Sequence, residues 1–396
     1  MRTEHRIDLD ATSTPVGFHR FTSDISIDFQ CNRWLQWIGP SGLDEIAELA
    51  RRAGPTGGYE SWIEGFLELA DQAAAAGREL PAAYFARGAE FFMANDDPLK
   101  PATRRRFVLA LQQAYGVRPE DVPFGSGSLP AYDLAPAHAR GLPIVVFGGF
   151  DSYIEEFFPL FAAFVARGRR VIAFEGPGQG GALEEHGLTL IPEWERPVSA
   201  VLDHFGIDQA VAVGISLGGA LVIRAAAFEP RIVGAVAFDV CDSEFTAATR
   251  TVGPATPVLR ALMALHARPL VNGLAALARR RRPLVDWALP QGMHITGTRT
   301  AYDFLRTTAR VRTAPCSSRI TADVLLLAGA DDHYIPPGML ARQAATLTAA
   351  QSVTTRMFTR LDQASNHCQI GNIGLAGRVI DDWATDVADR RGSRAM

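Results

Sequence analysis

The pentapeptide Gly214-Ile215-Ser216-Leu217-Gly218 sets one hydroxyl between two glycines. Ahead of it Ala210-Val211-Ala212-Val213 reads as a short buried strand, and behind it Leu217 to Phe228 is free of proline and rich in helix formers. A serine on such a strand-to-helix turn exposes its Oγ, and glycine is needed where the backbone folds back on itself. A plain structural turn would share the pattern, so the chemistry needs partners. A serine hydroxyl is a weak nucleophile until an imidazole takes its proton, and a carboxylate must fix the imidazole's tautomer and stabilise its charged form. Nine histidines compete for the role of base. His294 lies in "LPQGMHITG", His333 follows the paired acids Asp331 and Asp332 in "VLLLAGADDHYIP", and His367 stands in "LDQASNHCQIGN" beside Cys368. Either aspartate suits the acid, and adjacent acids at a strand end are also ordinary turn formers.

These groups must be gathered by the elements around them. Residues 1–135 show apolar positions at helical spacing in "SGLDEIAELARRAG", "YESWIEGFLELADQAAAAGREL", "PAAYFARGAEFFMA" and "TRRRFVLALQQAYG", predicting four or five helices. "RPEDVPFGSGSLPAYDLAP" reads as a linker, or as a strand and turn entering the next domain. From "PIVVFGG" onward strands alternate with helices, which predicts right-handed crossovers and a mainly parallel sheet with functional loops at its carboxyl edge. Residues 243–318 interrupt the rhythm with helices and would lie over that edge as a lid. The expected organisation is therefore a helical N-terminal domain over 1–135, a core over 136–242 and 319–396, and a lid over 243–318. His367 follows the last expected strand and precedes the last helix, where a loop can carry its ring over the sheet.

A chain of 396 residues with 47% hydrophobic and 21% charged residues has the composition of a globular protein with more than one structural unit. Its net charge of −4 and the absence of interleaved aromatic and basic residues argue against nucleic acid as partner. No apolar run reaches membrane-spanning length and "MRTEHRIDLDATSTP" has no apolar leader, so a cytoplasmic location is expected. The four cysteines Cys31, Cys241, Cys316 and Cys368 are scattered, which suits a reduced compartment and no structural zinc.

The spacing Gly329-x-x-Asp332-x-x-Ile335-Pro336 resembles the acid loop of α/β-hydrolases, which favours Asp332. Their chain order of serine, acid and histidine favours His367. More narrowly, "GGFDSYIEEFF", "FEGPGQGGAL", "PEWERPVSAVLDHFGID", "VGISLGGALVIRAAAFEP" and "DDHYIP" resemble the branch holding 2,6-dihydroxypseudooxynicotine hydrolase and the fungal polyketide-shortening hydrolases of pigment pathways. Fermentation-respiration switch protein is a more distant relative. The resemblance covers roughly residues 140–390, and the N-terminal helical segment fits the branch's cap domain in length and position. It implies an α/β-hydrolase fold with a helical cap and an inserted helical lid.

The resemblance further implies a Ser216-Asp332-His367 triad. The N–H of Leu217 and that of Gly149 or Phe150 would form the oxyanion hole, although the glycine pair also suits a plain turn. No metal or organic cofactor is implied, and a homodimer is. The substrate would be a hydrophobic or aromatic small molecule, cleaved at a carbon-carbon bond next to a carbonyl through an acyl-enzyme or a directly hydrated adduct. Ester or thioester hydrolysis by the same triad is the alternative, and a binding role on the same scaffold is a third. A departing carbon must be protonated, and Asp242 and Glu244 in "DVCDSEF" are the candidate auxiliary acids. Asp151 and Glu155 resemble family positions but suit helix capping equally. "EGPGQG" lacks the lysine and hydroxyl of a phosphate loop and reads as a border of the site. Met263, Trp287 and Met293 of the lid would line an apolar substrate site.

Overall fold

The computed structural model describes residues 15–54 and 58–395. The first fourteen residues, on which the leader expectation falls, lie outside the described residues. Five α-helices precede the first strand, in the segment expected as a cap: α1 (Ile25–Ile38), α2 (Leu43–Ala53), α3 (Tyr59–Ala75), α4 (Glu79–Phe92) and α5 (Lys100–Tyr115). Asp24 caps α1 by accepting from the N–H groups of Ser26 and Ile27. In α2 the acids Asp44 and Glu45 occupy the first turn and Arg51 and Arg52 the last, the order that complements the helix dipole. The residues of α4 from Ala82 to Phe92 are all buried, so this helix is the centre of the cap. Gly88 lets it approach α3, since a Cβ there would lie 3.0 Å from the Phe66 ring.

The strands are β1 (Glu120–Phe124), β2 (Gly127–Leu134), β3 (Ile144–Phe147), β4 (Val171–Phe174), β5 (Ala210–Ile215), β6 (Ile232–Phe238), β7 (Asp323–Gly329) and β8 (Ser352–Phe358). They form one eight-stranded sheet in the order β1-β2-β4-β3-β5-β6-β7-β8. The pairs β1-β2 and β2-β4 are antiparallel, and the others are parallel. The sheet thus begins at Glu120, and the boundary expected after residue 135 moves to the start of this hairpin. Pro123, Gly125, Gly127 and Pro130 break the apolar pattern of this stretch, which is why it also reads as a linker.

Strands β3 to β7 are buried throughout, as parallel strands covered on both faces must be. Ile144 and Val146 join an apolar cluster continuous with the cap, whereas Val145 and Phe147 face the opposite cluster. Helices α6 (Phe158–Ala166), α7 (Gly180–Glu184), α8 (Glu195–His204) and α9 (Gly218–Phe228) follow the first parallel strands. The inserted region contains α10 (Glu244–Ala248), α11 (Thr256–Ala264), α12 (Arg268–Arg279), α13 (Pro283–Thr296) and α14 (Ala301–Thr308). Helix α15 (Met339–Thr346) separates β7 from β8, and α16 (Ile373–Ala395) closes the chain. Among the described residues no helix is long and apolar enough to cross a membrane.

The sheet order decides what can meet at its carboxyl edge. Ile215 at the end of β5 pairs in register with Phe238 at the end of β6, and Phe238 with Leu327 of β7. The residues that follow these three strands must therefore converge.

Candidate active site

Ser216 follows β5 directly and holds φ +60°, a left-handed conformation unusual for a side chain with a Cβ. Its N–H donates to Phe238 O at 2.6 Å, tying the turn to β6. The turn is possible because its neighbours are small: a Cβ at Gly149 would lie 2.5 Å from Ile215 O and 2.9 Å from Leu217 N. Ser216 Oγ donates to His367 Nε2 at 2.8 Å, and His367 Nδ1 donates to Asp332 Oδ2 at 2.7 Å. The other oxygen of Asp332 accepts from the N–H groups of Tyr334 at 2.7 Å and Ile335 at 2.8 Å. The three sequence-predicted residues thus form one hydrogen-bonded relay. Burial disfavours the Asp332 charge, but the His367 ring and the Ile335 N–H outweigh it and hold the carboxyl below its usual range. Burial likewise opposes a charged His367, and the Asp332 carboxylate overrides it and lifts the imidazole well above its usual value.

The unchosen candidates have other roles. Asp331 is half-buried and pairs with Arg360 at 2.8 Å. His333 packs edge-on against Phe29, and burial pushes it down to about 3. His294 meets Glu184 at 2.8 Å in the lid region.

Of the expected oxyanion donors, Gly149 N–H is already engaged, donating to Ser152 Oγ at 2.9 Å. Among the described residues the N–H groups of Leu217 and Phe150 have no protein acceptor, and both residues line the cavity that contains Ser216. Leu217 and Phe150 thus keep unengaged N–H groups at the cavity, whereas that of Gly149 is taken up within its own loop. The loop carrying Phe150 is braced from three sides. Gln179 of "EGPGQG" donates to Gly148 O at 2.6 Å, Arg87 of α4 to Asp151 O at 3.1 Å, and Gln291 of the lid to Asp151 Oδ1 at 2.8 Å. Asp151 is therefore no helix cap, and Glu155 accepts instead from Tyr132 at 2.5 Å.

Glu244 is buried in the wall of the same cavity, receives the Cys241 thiol at 3.8 Å, and is pushed up to about 7 by burial. Asp242 is not brought to the site. Its carboxylate binds Arg342 Nε at 2.8 Å and Nη2 at 3.2 Å.

A second acid beside this relay carries no motif in the sequence. Asp239, the residue after β6, lies with Oδ2 3.6 Å from His367 Nδ1. It also accepts from Cys368 N–H at 2.8 Å and Gln369 Nε2 at 2.6 Å, holding a loop in which Cys368 and Gln369 both have positive φ. Burial and then the nearby Asp332 charge push its carboxyl up to about 8. Its sequence signal was its place at the end of an apolar strand lying between the serine and acid strands. Asp239, His367 and Cys368 also place ligand-type atoms within 4.8 Å of one another. Both ring nitrogens of His367 are already bonded within the relay, so the ring offers no free donor to a cation.

The cavity above Ser216 has a volume of about 780 Å³. Its walls come from α1, the loop carrying Phe150 and the 243–318 segment, and are mainly apolar, with Phe29, Trp37, Phe91, Phe150, Trp287 and Phe304 among the lining side chains. Trp287 is fixed against Phe91 of the cap by a stacked contact at 4.5 Å and donates its indole N–H to Phe91 O. Of the lid residues expected to line it, Trp287 does so, whereas Met263 and Met293 pack in the lid's own apolar cluster.

Comparison with known proteins places this geometry in context. The 20-hydroxy-prefusarin hydrolase FUS2 of Gibberella moniliformis is 28% identical over 360 residues, covering 80% of this chain and 84% of the relative. Hydrolase LUC6 of a Fusarium species is 36% identical over 219 residues, covering 47% of this chain and 52% of the relative. The solved structure of 2,6-dihydroxy-pseudo-oxynicotine hydrolase superposes with a TM-score of 0.60 at 20% identity, covering 90% of this chain and 95% of the other. That of AbyA5 gives 0.66 at 18% identity, covering 94% and 97%. These two share the fold. The profile of the alpha/beta hydrolase fold family matches residues 143–367, more than half of the sequence, and the chain belongs to that family.

Proposed function

We propose that this hydrolase uses Ser216, His367 and Asp332 to cleave a carbon-carbon bond next to a carbonyl in an aromatic or polyketide-like ketone. The observation that carries the reading is the unbroken relay from Asp332 through His367 to Ser216 at a mainly apolar cavity, with the Leu217 and Phe150 N–H groups lacking acceptors. The Ser216 proton passes to His367 Nε2 as Oγ bonds to the ketone carbon. The carbonyl π pair moves onto oxygen and is received by those two N–H groups, each worth a few kcal/mol in a transition state. Collapse of the adduct re-forms the carbonyl and breaks the carbon-carbon bond, whose electron pair leaves with the departing carbon as an enolate or ring-stabilised carbanion. The proton held by His367 goes to that carbon directly or by way of Glu244, whose value of about 7 suits an acid at neutral pH. Water, deprotonated by His367, then releases the acyl group as a carboxylic acid. The relative named as a 20-hydroxy-prefusarin hydrolase supports hydrolysis of a small organic molecule.

Ester or thioester hydrolysis by the same triad is the second reading, because an oxygen or sulfur leaving group needs only the proton on His367. Product analysis separates the two. Wild-type protein is expected to convert a 1-aryl-1,3-diketone and water to a carboxylic acid and a methyl ketone, with Ser216→Ala inactive. Glu244→Gln should slow the diketone about a hundredfold and a matched aryl ester much less. Hydrolysis of esters with diketones left intact would reject the carbon-carbon reading and leave the second.

A further inference from the structure

Charge is distributed unevenly along this chain. The lid segment 243–318 holds eleven arginines against three acids, a net +8 in a chain of net −4, so the remaining residues carry −12 together. Part of this positive charge borders the catalytic cavity. Arg33, Arg281 and Arg282 are the three arginines in the cavity wall among the described residues. Arg33 is neutralised by Glu156 at 2.5 Å and also meets Gln30 at 3.3 Å. Arg282 gives one nitrogen to Thr251 O. The Arg281 guanidinium has no hydrogen bond or ion pair among the described residues and is solvent-exposed at the rim. The nearest acid in sequence, Asp286, is already paired with Arg279 at 2.8 Å. The one carboxyl in the cavity wall, Glu244, is buried.

The same cavity wall carries exposed apolar side chains. Val258 of α11 and Leu274 and Leu277 of α12 line the cavity while remaining 60%, 51% and 44% exposed. An exposed cation on a low-dielectric rim attracts an anion more strongly than one on an open polar surface. A single free guanidinium fork matches a carboxylate, which it can hold through two parallel N–H donors.

We infer that the site takes amphipathic substrates with a carbonyl seated at Ser216 and a carboxylate at the far end, held by Arg281 at the lid rim. This inference rests on the serine-hydrolase reading and adds the polarity of the substrate's distal end. An apolar body fills the chamber, and the net positive lid draws the acid end to its mouth.

The test uses purified full-length protein and a series of p-nitrophenyl monoesters of dicarboxylic acids, each paired with its ω-methyl ester. In every case the aryl ester and water give the carboxylic acid and p-nitrophenol. At low salt, wild type should favour the ω-carboxylate by about fivefold in kcat/KM, chiefly through KM, at the chain length that reaches the rim. In 0.5 M NaCl that preference should shrink, because the Debye length falls to a few ångströms. Arg281→Gln should bring the ratio to about one, and Arg281→Glu should invert it. Arg299→Gln removes an exposed lid arginine outside the cavity wall and should preserve the ratio. Equal ratios in wild type and Arg281→Gln, or equal losses in Arg281→Gln and Arg299→Gln, would overturn the inference. Ser216-dependent hydrolysis without a carboxylate preference would sink this inference alone. Hydrolysis that survives Ser216→Ala would instead reject the serine reading on which it rests.

Discussion

Two carboxylates reach one nitrogen of His367, and removing the nearer one tests what the farther one can do. Asp332→Ala is the informative change, because asparagine would present an amide donor to Nδ1 and force the wrong tautomer. In a triad whose acid has no substitute, loss of that acid costs about 10⁴ in kcat. Here Asp239 Oδ2 lies 3.6 Å from Nδ1, against 2.7 Å for Asp332. Coulomb attraction scales inversely with distance, so at equal dielectric Asp239 supplies about three-quarters of the lost attraction for the imidazolium. The Asp332 charge is one cause of the raised Asp239 carboxyl, and its removal makes Asp239 easier to ionise. The short hydrogen bond to Nδ1 is lost, so recovery is incomplete. Asp332→Ala is therefore expected to lower kcat about 10²-fold, and the double variant with Asp239→Asn about 10⁴-fold. The assay is kcat/KM for an aryl ester across wild type, both single variants and the double. Thermal melts accompany it, because Asp332→Ala leaves the Tyr334 and Ile335 N–H groups without their acceptor, at about 1–3 kcal/mol each. If Asp332→Ala alone already falls 10⁴-fold and Asp239→Asn adds nothing, Asp239 holds the loop but does not support the ring's charge.

Two further changes follow from the same geometry. Glu244 must be protonated to deliver a proton to carbon, so the ratio of diketone to ester turnover should fall as pH rises through about 7, the His367 dependence cancelling in the ratio. A ratio flat from pH 6 to 8.5 would exclude Glu244 as that donor. Gly149→Ala places a Cβ 2.9 Å from Leu217 N and Ser216 Cβ, forcing the oxyanion loop away from the nucleophile. It should lower kcat about 10²-fold with little change in KM, and unchanged steady-state kinetics would show that the loop can yield without cost.

The parts of the site that could be read from the sequence are those encoded locally. Ser216 announces itself because its turn needs glycines within two residues, and the strand before it and helix after it are continuous in the chain. Asp332 is favoured over Asp331 only by the resemblance of its loop to the acid loop of α/β-hydrolases, and the structure gives the physical difference: Asp331 turns outward to Arg360, whereas Asp332 is held inward by two backbone N–H groups. The first hairpin was harder, since the edge strand β1 buries only Val122 and the prolines and glycines of the pair carry the signal of a turn-rich linker.

Asp239 shows where local reading stops. Its segment offered three acids within six residues, Asp239, Asp242 and Glu244, and side-chain type alone ranks none above the others. The ranking comes from topology. Strand β6 lies between β5, which ends at the nucleophile, and β7, which leads to Asp332. Register then sets the end of β6 level with the end of β5, so the first residue beyond it must lie beside the imidazole that joins serine to acid. Three residues later the chain has turned outward and Asp242 meets Arg342; two residues beyond that it has entered α10, and Glu244 faces the cavity. One short segment thus supplies an acid beside the imidazole, a surface ion pair and an acid at the cavity wall. The division among them is fixed by strand order, because only strand order states which loops share the carboxyl edge at the same height.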